Sequence, residues 1–185
     1  MLVIISDLHL GDGTTAKSIS PSAFQVFVKR LQETAYFASW RRDGKYKPIK
    51  NINVILMGDI LDPLHSTRWL DTLPSDANYI RPWSDSSNPL YAAKLLEVTR
   101  AILEKNKESM EILRKCADGE TVTLAPADGK GNPDHQSREQ LHIKINFHYM
   151  PGLPLTDRKR DIAGMKQLFS DPDYRPDMIK LYPCM

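Results

Sequence analysis

Asp7 and His9 stand two residues apart at the end of the apolar run Leu2–Ser6. Asp59 and Asp62 stand three apart after a second apolar run, Ile52–Met57, with Gly58 between run and carboxylates. A carboxylate and an imidazole in an Asp-x-His arrangement can serve one cation, and Zn, Mn and Fe accept that mix. Asp59, on the neighbouring strand, can bridge two cations, and Gly58 lets the backbone pass close beside them. Asp62 suits a supporting role, holding a ligand histidine or a metal-bound water. Two such cations about 3.5–4 Å apart would activate a water and clamp a phosphoryl oxygen. Asp7 and His9 alternate along an extended segment, so both reach one site only if the backbone turns near Leu8.

The elements that must position these groups are legible from patterning. Leu2–Ser6 is continuous and apolar, which predicts a strand buried on both faces. Ser20-Pro21 reads as an N-cap with Pro at the first helical position. Phe24, Phe27, Val28, Leu31, Ala35 and Ala38 then recur at helical spacing, predicting a helix to about Trp40. Ile52–Met57 is the second strand, so residues 2–57 read as a βαβ unit. A non-periodic stretch, 63–90, holds His65, Arg68, Trp69, Arg81 and Trp83; a loop so long is usually functional or mobile. One helix is expected over about 90–117, stopped by Asp118-Gly119. Leu141–Tyr149 alternates as a third strand. Thr156 would cap a last helix to about Phe169, and 171–183 reads as turns.

Composition narrows the classes. The chain has 185 residues, 41% of them apolar, enough for a core. Its 25 basic and 23 acidic residues leave a net charge of +2, which does not point to nucleic acid or an anionic membrane. No apolar run approaches the ~20 residues of a membrane span. Cys116 and Cys184 form no CxxC or CxxxCxxC pattern and read as free thiols. With no basic n-region at the start, a cytoplasmic protein is expected.

The blocks Ser6-Asp7-Leu8-His9-Leu10-Gly11 and Met57-Gly58-Asp59-Ile60-Leu61-Asp62 resemble the calcineurin-like metallophosphoesterase superfamily over roughly residues 1–150. That resemblance implies an α/β/β/α sandwich and hydrolysis of a phosphate-ester substrate. Divalent metal ions, two in the complete site, would be the cofactors: Asp7 and His9 bind the first, Asp59 bridges both, and Gly58 and Asp62 support the site. The pattern then stops. No Asn-His block follows the third strand and no GHxH occurs, so the sandwich is expected to be incomplete and turnover slight. No catalytic residue is assigned.

The tail is similar to a different family. Asn146–Pro154, Asp157, Arg160-Asp161, Leu168-Phe169, Asp171-Pro172 and above all Arg175-Pro176-Asp177-Met178-Ile179-Lys180-Leu181-Tyr182-Pro183-Cys184 resemble the catalytic subunit of Elongator. That family comprises radical-SAM enzymes that acetylate wobble uridine in tRNA. Its cluster-binding cysteine motif and acetyl-CoA domain have no counterpart here. Both likenesses meet at His148–Gly152, where HYMPG suits either, which gives two expected parts, 1–150 and 151–185. The alternative reading of the chain is therefore a piece of that tRNA-modifying enzyme, or a fusion product without function. The tail is expected to add a strand–loop–helix appendage that packs loosely and exposes Met165 and Phe169. Elsewhere the plainer readings hold. Trp69 and Trp83, with Arg68 and Arg81, are expected to fold onto the core. The basic run Arg41–Lys50 is a solvated turn, and Arg158-Lys159-Arg160 a solvated face.

Overall fold

The structure, a computed structural model, describes residues 1–149 together with 159, 162, 163, 166, 170 and 179–181. Among these the fold is mixed α/β. It has six strands: β1 (Leu2–Ser6), β2 (Asn51–Met57), β3 (Thr123–Leu124), β4 (Glu139–Gln140), β5 (His142–Tyr149) and β6 (Ile179–Leu181). The helices are α1 (Pro21–Ala38), α2 (Pro89–Lys105) and α3 (Lys107–Ala117), with a short 3₁₀ turn at Thr67–Leu70. One sheet runs β1-β2-β5-β6; β3 and β4 form a small antiparallel ladder. The pairs β2–β5 and β5–β6 are parallel, with Val54 opposite Ile145 and Phe147 opposite Ile179. A mixed α/β fold with a parallel sheet is what the chain has; the finer expectation of a four-layer sandwich gains nothing from it.

The chain divides into two compact units. The first comprises Met1–Ile5, Ser22–Met57 and Glu111–Met185; the second comprises Ser6–Pro21 and Gly58–Met110. In the first unit β2 is the core strand, with Ile52, Val54 and Leu56 buried in alternation. Ile143 of β5 and Phe24, Leu31 and Ala35 of α1 are buried as well. The 3.6-residue spacing of those three α1 residues explains why that helix has one apolar stripe. In the second unit Leu10, Trp69, Val98 and Ile102 are buried, and the Trp69 indole N–H donates to the Pro63 carbonyl at 2.7 Å.

Four expectations need correction. First, β1 is not buried on both faces: Leu2 is 59% and Ile4 56% exposed. Five apolar residues in a row do not say which neighbours will cover a strand. Second, the single helix over 90–117 is two helices broken at Asn106. The buried Asn106 amide donates to the carbonyls of Gly11 (2.9 Å) and Ile102 (2.8 Å), and its Oδ1 accepts from the Ser18 hydroxyl at 2.5 Å. An asparagine side chain that takes up backbone partners competes with helix continuation. Third, strand β6 lies in the segment 171–183 read as turns, and the ladder β3–β4 lies in stretches for which patterning gives no element. Fourth, β6 hydrogen-bonds to β5, so part of the tail is joined to the main sheet. Thr156, Met165 and Phe169 lie outside the described residues, as do Arg158, Arg160 and Cys184. Lys159, Ile162, Ala163, Lys166 and Ser170 are helical.

The stop at Gly119 is as expected. Its φ is +75°, its N–H donates to Cys116 O at 3.1 Å, and Glu120 N–H reaches Lys115 O at 3.1 Å. These bonds close the last carbonyls of α3.

Because Ile52 is fully buried in β2, Ile52→Ala should cost about 2–5 kcal/mol. A urea titration followed by circular dichroism would show the midpoint fall; an unchanged midpoint would contradict the place given to β2.

Candidate functional site

The second unit gathers most of the residues singled out from the sequence. Residues 9 and 10 pair with 59–62: His9 N–H donates to Asp59 O at 2.8 Å, Leu10 N–H to Ile60 O at 2.9 Å, and Asp62 N–H to Leu10 O at 3.0 Å. Leu10 and Leu61 form a parallel bridge. The backbone turn expected near Leu8 falls on its neighbours instead. Asp7 has φ 55° and His9 φ 44°, left-handed values that cost a residue bearing a Cβ about 1–2 kcal/mol each. Gly58, at φ +69°, faces the Asp7 side chain so closely that a Cβ there would collide with its carboxylate. Strained backbone of this kind persists only where surrounding structure over-determines it, and it clusters at functional sites.

Asp62 is the hub. His65 Nδ1 lies 2.7 Å and His9 Nδ1 3.4 Å from Asp62 Oδ2, and the His65 N–H donates to Asp62 Oδ1 at 3.3 Å. Burial raises the Asp62 carboxyl, but the His65 side-chain and backbone hydrogen bonds, with help from His9, outweigh it. The group sits below its ordinary range. Asp62 is thus a carboxylate shared between two imidazoles. The sequence reading leaves His65 out of this cluster, though its place three residues after Asp62 on the same turn is the available signal.

A second acid belongs to the same unit. Asp12 accepts from Thr14 N–H at 3.0 Å, the Thr14 hydroxyl at 2.6 Å and the Ser66 hydroxyl at 2.5 Å, and Arg68 Nε lies 3.2 Å away. Burial raises its carboxyl; the Ser66 and Thr14 bonds and the Arg68 charge together bring it down. Asp12 therefore pins segment 12–15 to segment 65–68. Of the other loop residues, Trp69 folds inward as expected. So does Arg81, whose guanidinium donates to carbonyls of Trp69, Ile80 and Thr72. Trp83 does not; it is 75% exposed.

Asp7, His9 and Asp59 are thus neighbours along the chain path, with Asp7 against Gly58 and His9 against Asp62. Their donors do not converge: among the described residues no group of three or more His, Cys, Asp or Glu side chains could hold a metal ion.

Comparison with known proteins bears on the same question. No family model and no solved structure matches the chain. Curated relatives do. The chain is 35% identical over 92 residues to the tRNA uridine(34) acetyltransferase of Methanocaldococcus jannaschii, covering 49% of this chain and 16% of that protein. It is 44% identical over 43 residues to the protein of the same name from Dehalococcoides mccartyi, covering 23% and 9%. Over 42 residues it is 43% identical to Elongator complex protein 3 of Saccharomyces cerevisiae, covering 23% and 8%. The matched region is about one sixth of the length of the Methanocaldococcus jannaschii protein.

These matches agree with the likeness read in the tail and give no support for a metallophosphoesterase. The hydrolase reading and the binuclear divalent-metal cofactor are therefore corrected: the relatives bear another activity in their names, and the donors at Asp7, His9 and Asp59 form no cation site among the described residues. The error has a physical source. Carboxylates and an imidazole at strand ends also serve as turn and cap residues.

Two outcomes test this geometry. Gly58→Ala should destabilise by about 1–2 kcal/mol or more, and combining it with Asp7→Gly should restore part of the loss. Equal melting temperatures for wild type and Gly58→Ala would contradict the close approach of Asp7. In acid, Asp12 and Asp62 contribute stability that is complete above the ordinary carboxylate range. It fades as pH falls through their lowered folded values. Asp12→Asn should therefore flatten the acid limb of a pH–stability profile; an unaltered limb would contradict the assignment.

Proposed function

We propose that this chain is part of a tRNA uridine-modifying enzyme of the Elongator catalytic-subunit kind, and that its own contribution is to bind RNA rather than to carry out the transfer. The observation that carries this reading is the length of the match. Ninety-two residues is more than twice the ~40-residue tail that holds the motif Arg175–Cys184, so the likeness reaches well into the rest of the chain. The parallel pair β5–β6, with helical residues between the strands, supports it. Such strand–helix–strand units are what α/β barrels repeat. Residues 179–181 of the tail then continue the sheet that β5 belongs to.

The iron–sulfur cluster that the Elongator likeness implies does not fit the residues present. Cluster sites hold iron through several closely spaced thiolates. Here Cys116 and Cys184 are 68 positions apart. Burial pushes the Cys116 thiol up, against a weaker Thr121 hydrogen bond, which is the wrong direction for a thiolate ligand. No step of acetyl transfer is assigned to this chain. The substrate of the proposed whole enzyme is tRNA, and a cytoplasmic setting suits it. No helix among the described residues is long and apolar enough to cross a membrane.

Filter binding of the purified chain to bulk tRNA tests the reading. Retention that weakens steeply with salt and is not competed by duplex DNA is expected; no retention would overturn it. In the same preparation, bis-p-nitrophenyl phosphate with Mn²⁺ should give no turnover above buffer. Hydrolysis abolished by Asp59→Asn would restore the reading corrected above.

A further inference from the structure

The net charge of +2 hides a strong local imbalance. Residues 41–50 hold five cations, Arg41, Arg42, Lys45, Lys47 and Lys50, against Asp43 alone, a net of +4. The other 175 residues hold 20 basic and 22 acidic side chains, a net of −2. All five cations are exposed, and among the described residues none of them is in a salt bridge.

The segment is also built rather than slack. Trp40 and Tyr46 form an antiparallel bridge. Arg41 N–H donates to Lys45 O at 2.9 Å, Gly44 N–H to Arg41 O at 3.0 Å, and Lys47 N–H to Ser39 O at 2.7 Å. Gly44 takes the φ of +77° that closes the turn. Tyr46 N–H then donates to Gly131 O at 2.7 Å and the Tyr46 hydroxyl to Ala125 O at 2.9 Å, tying the hairpin to the loop that carries Lys130. Asp43 and Asp128 direct carboxylate oxygens to backbone N–H groups of their own turns. The hairpin therefore sets the like charges of Arg41 and Lys45 across from each other, an arrangement that costs stability. Among the described residues no ion pair offsets that cost.

Aromatic residues flank these charges along the chain. Tyr36 meets Phe37, Trp40 and Tyr46 at ring distances of 5.8, 6.3 and 5.7 Å, and Trp40 meets Tyr46 at 5.4 Å. Tyr46 anchors the group in the interior, while Phe37 is 71% and Trp40 37% exposed. Exposed rings on a rigid base, next in the chain to cations that form no ion pair among the described residues, are the two parts of a single-strand nucleic-acid platform: phosphates meet the cations and unpaired bases stack on the rings.

We propose that the hairpin 40–47, with Lys50 and the exposed rings of Phe37 and Trp40, is a binding surface for RNA with unpaired bases. This rests on the tRNA reading above for the identity of the RNA, but not for the surface itself. The cations fix the backbone and the rings take bases without sequence preference, so affinity depends strongly on salt.

The test compares the full chain with a variant carrying Arg41→Gln, Arg42→Gln, Lys45→Gln and Lys47→Gln, all at exposed positions. A second variant carries Phe37→Ala, and a control carries Lys29→Gln with Arg100→Gln. Fluorescence anisotropy with bulk tRNA, a uridine oligonucleotide and phosphatidylserine vesicles reads binding, and thermal melts establish that each variant is folded. The four-residue variant is expected to bind both RNAs at least tenfold more weakly. Its log–log salt slope should be shallower by about 0.7 for each phosphate that is no longer neutralised. Phe37→Ala should weaken the oligonucleotide several-fold, with the control unchanged. Wild-type binding of tRNA that both hairpin variants retain in full would overturn the surface and leave the tRNA reading standing. Binding of the oligonucleotide but not tRNA would support the surface and overturn that reading. Binding of vesicles without either RNA would overturn both.

Discussion

The burial of one face of β2 is the constraint on which the first unit depends. Ile52, Val54 and Leu56 are withdrawn from water in alternation, which fixes the strand's register. With that register set, the ladder to β5 runs from Asn51–His142 to Leu56–Phe147, and β5 in turn carries β6 at Phe147–Ile179. A slip of one residue would move all three apolar side chains to the opposite face. The short ladder β3–β4 and the hairpin after α1 are held to the same unit by polar bonds. Gln32 and Thr123 exchange two, and Ser39 accepts from Ile49 N–H at 3.1 Å while donating to Ala35 O at 2.7 Å.

The second unit is organised differently. Its polar segments are joined by carboxylates as well as by the short backbone pairing at Leu10–Leu61: Asp12 between Thr14, Ser66 and Arg68, and Asp62 between His9 and His65. Left-handed backbone at Asp7, His9 and Gly58 is held within that net. The arrangement accounts for the residues whose types suggest a metal site without requiring a cation. Asp62 orients two imidazoles, Asp59 lends its carbonyl to His9, and Gly58 makes room for Asp7.

Much of this is legible in the sequence, and the failures share a cause. Strands β1 and β2, the start of α1 at Pro21 and the stop at Gly119 follow from local signals: period, capping residue, and a glycine where φ must be positive. The break at Asn106 is not legible, because its partners Ser18 and Gly11 are 88 and 95 positions away. Nor is the exposure of Leu2 and Ile4, which depends on what lies beside the sheet rather than on the strand. The metal reading of Asp7, His9 and Asp59 fails in the same way. Residue types and spacing describe what donors are available, while convergence depends on side-chain directions that spacing leaves open. The charge of 41–50 is visible but averaged away in the net value, and only the hairpin and its rings give it a shape.

The proposal that the chain serves a tRNA-modifying enzyme through the Arg41–Lys50 surface is tested most directly by ultraviolet cross-linking to tRNA, with the attachment sites mapped by mass spectrometry. The account predicts cross-links concentrated at Phe37, Trp40 and the 41–50 segment, suppressed by added salt and by excess unlabelled tRNA. Cross-links spread over both units, or equal labelling by duplex DNA, would contradict it.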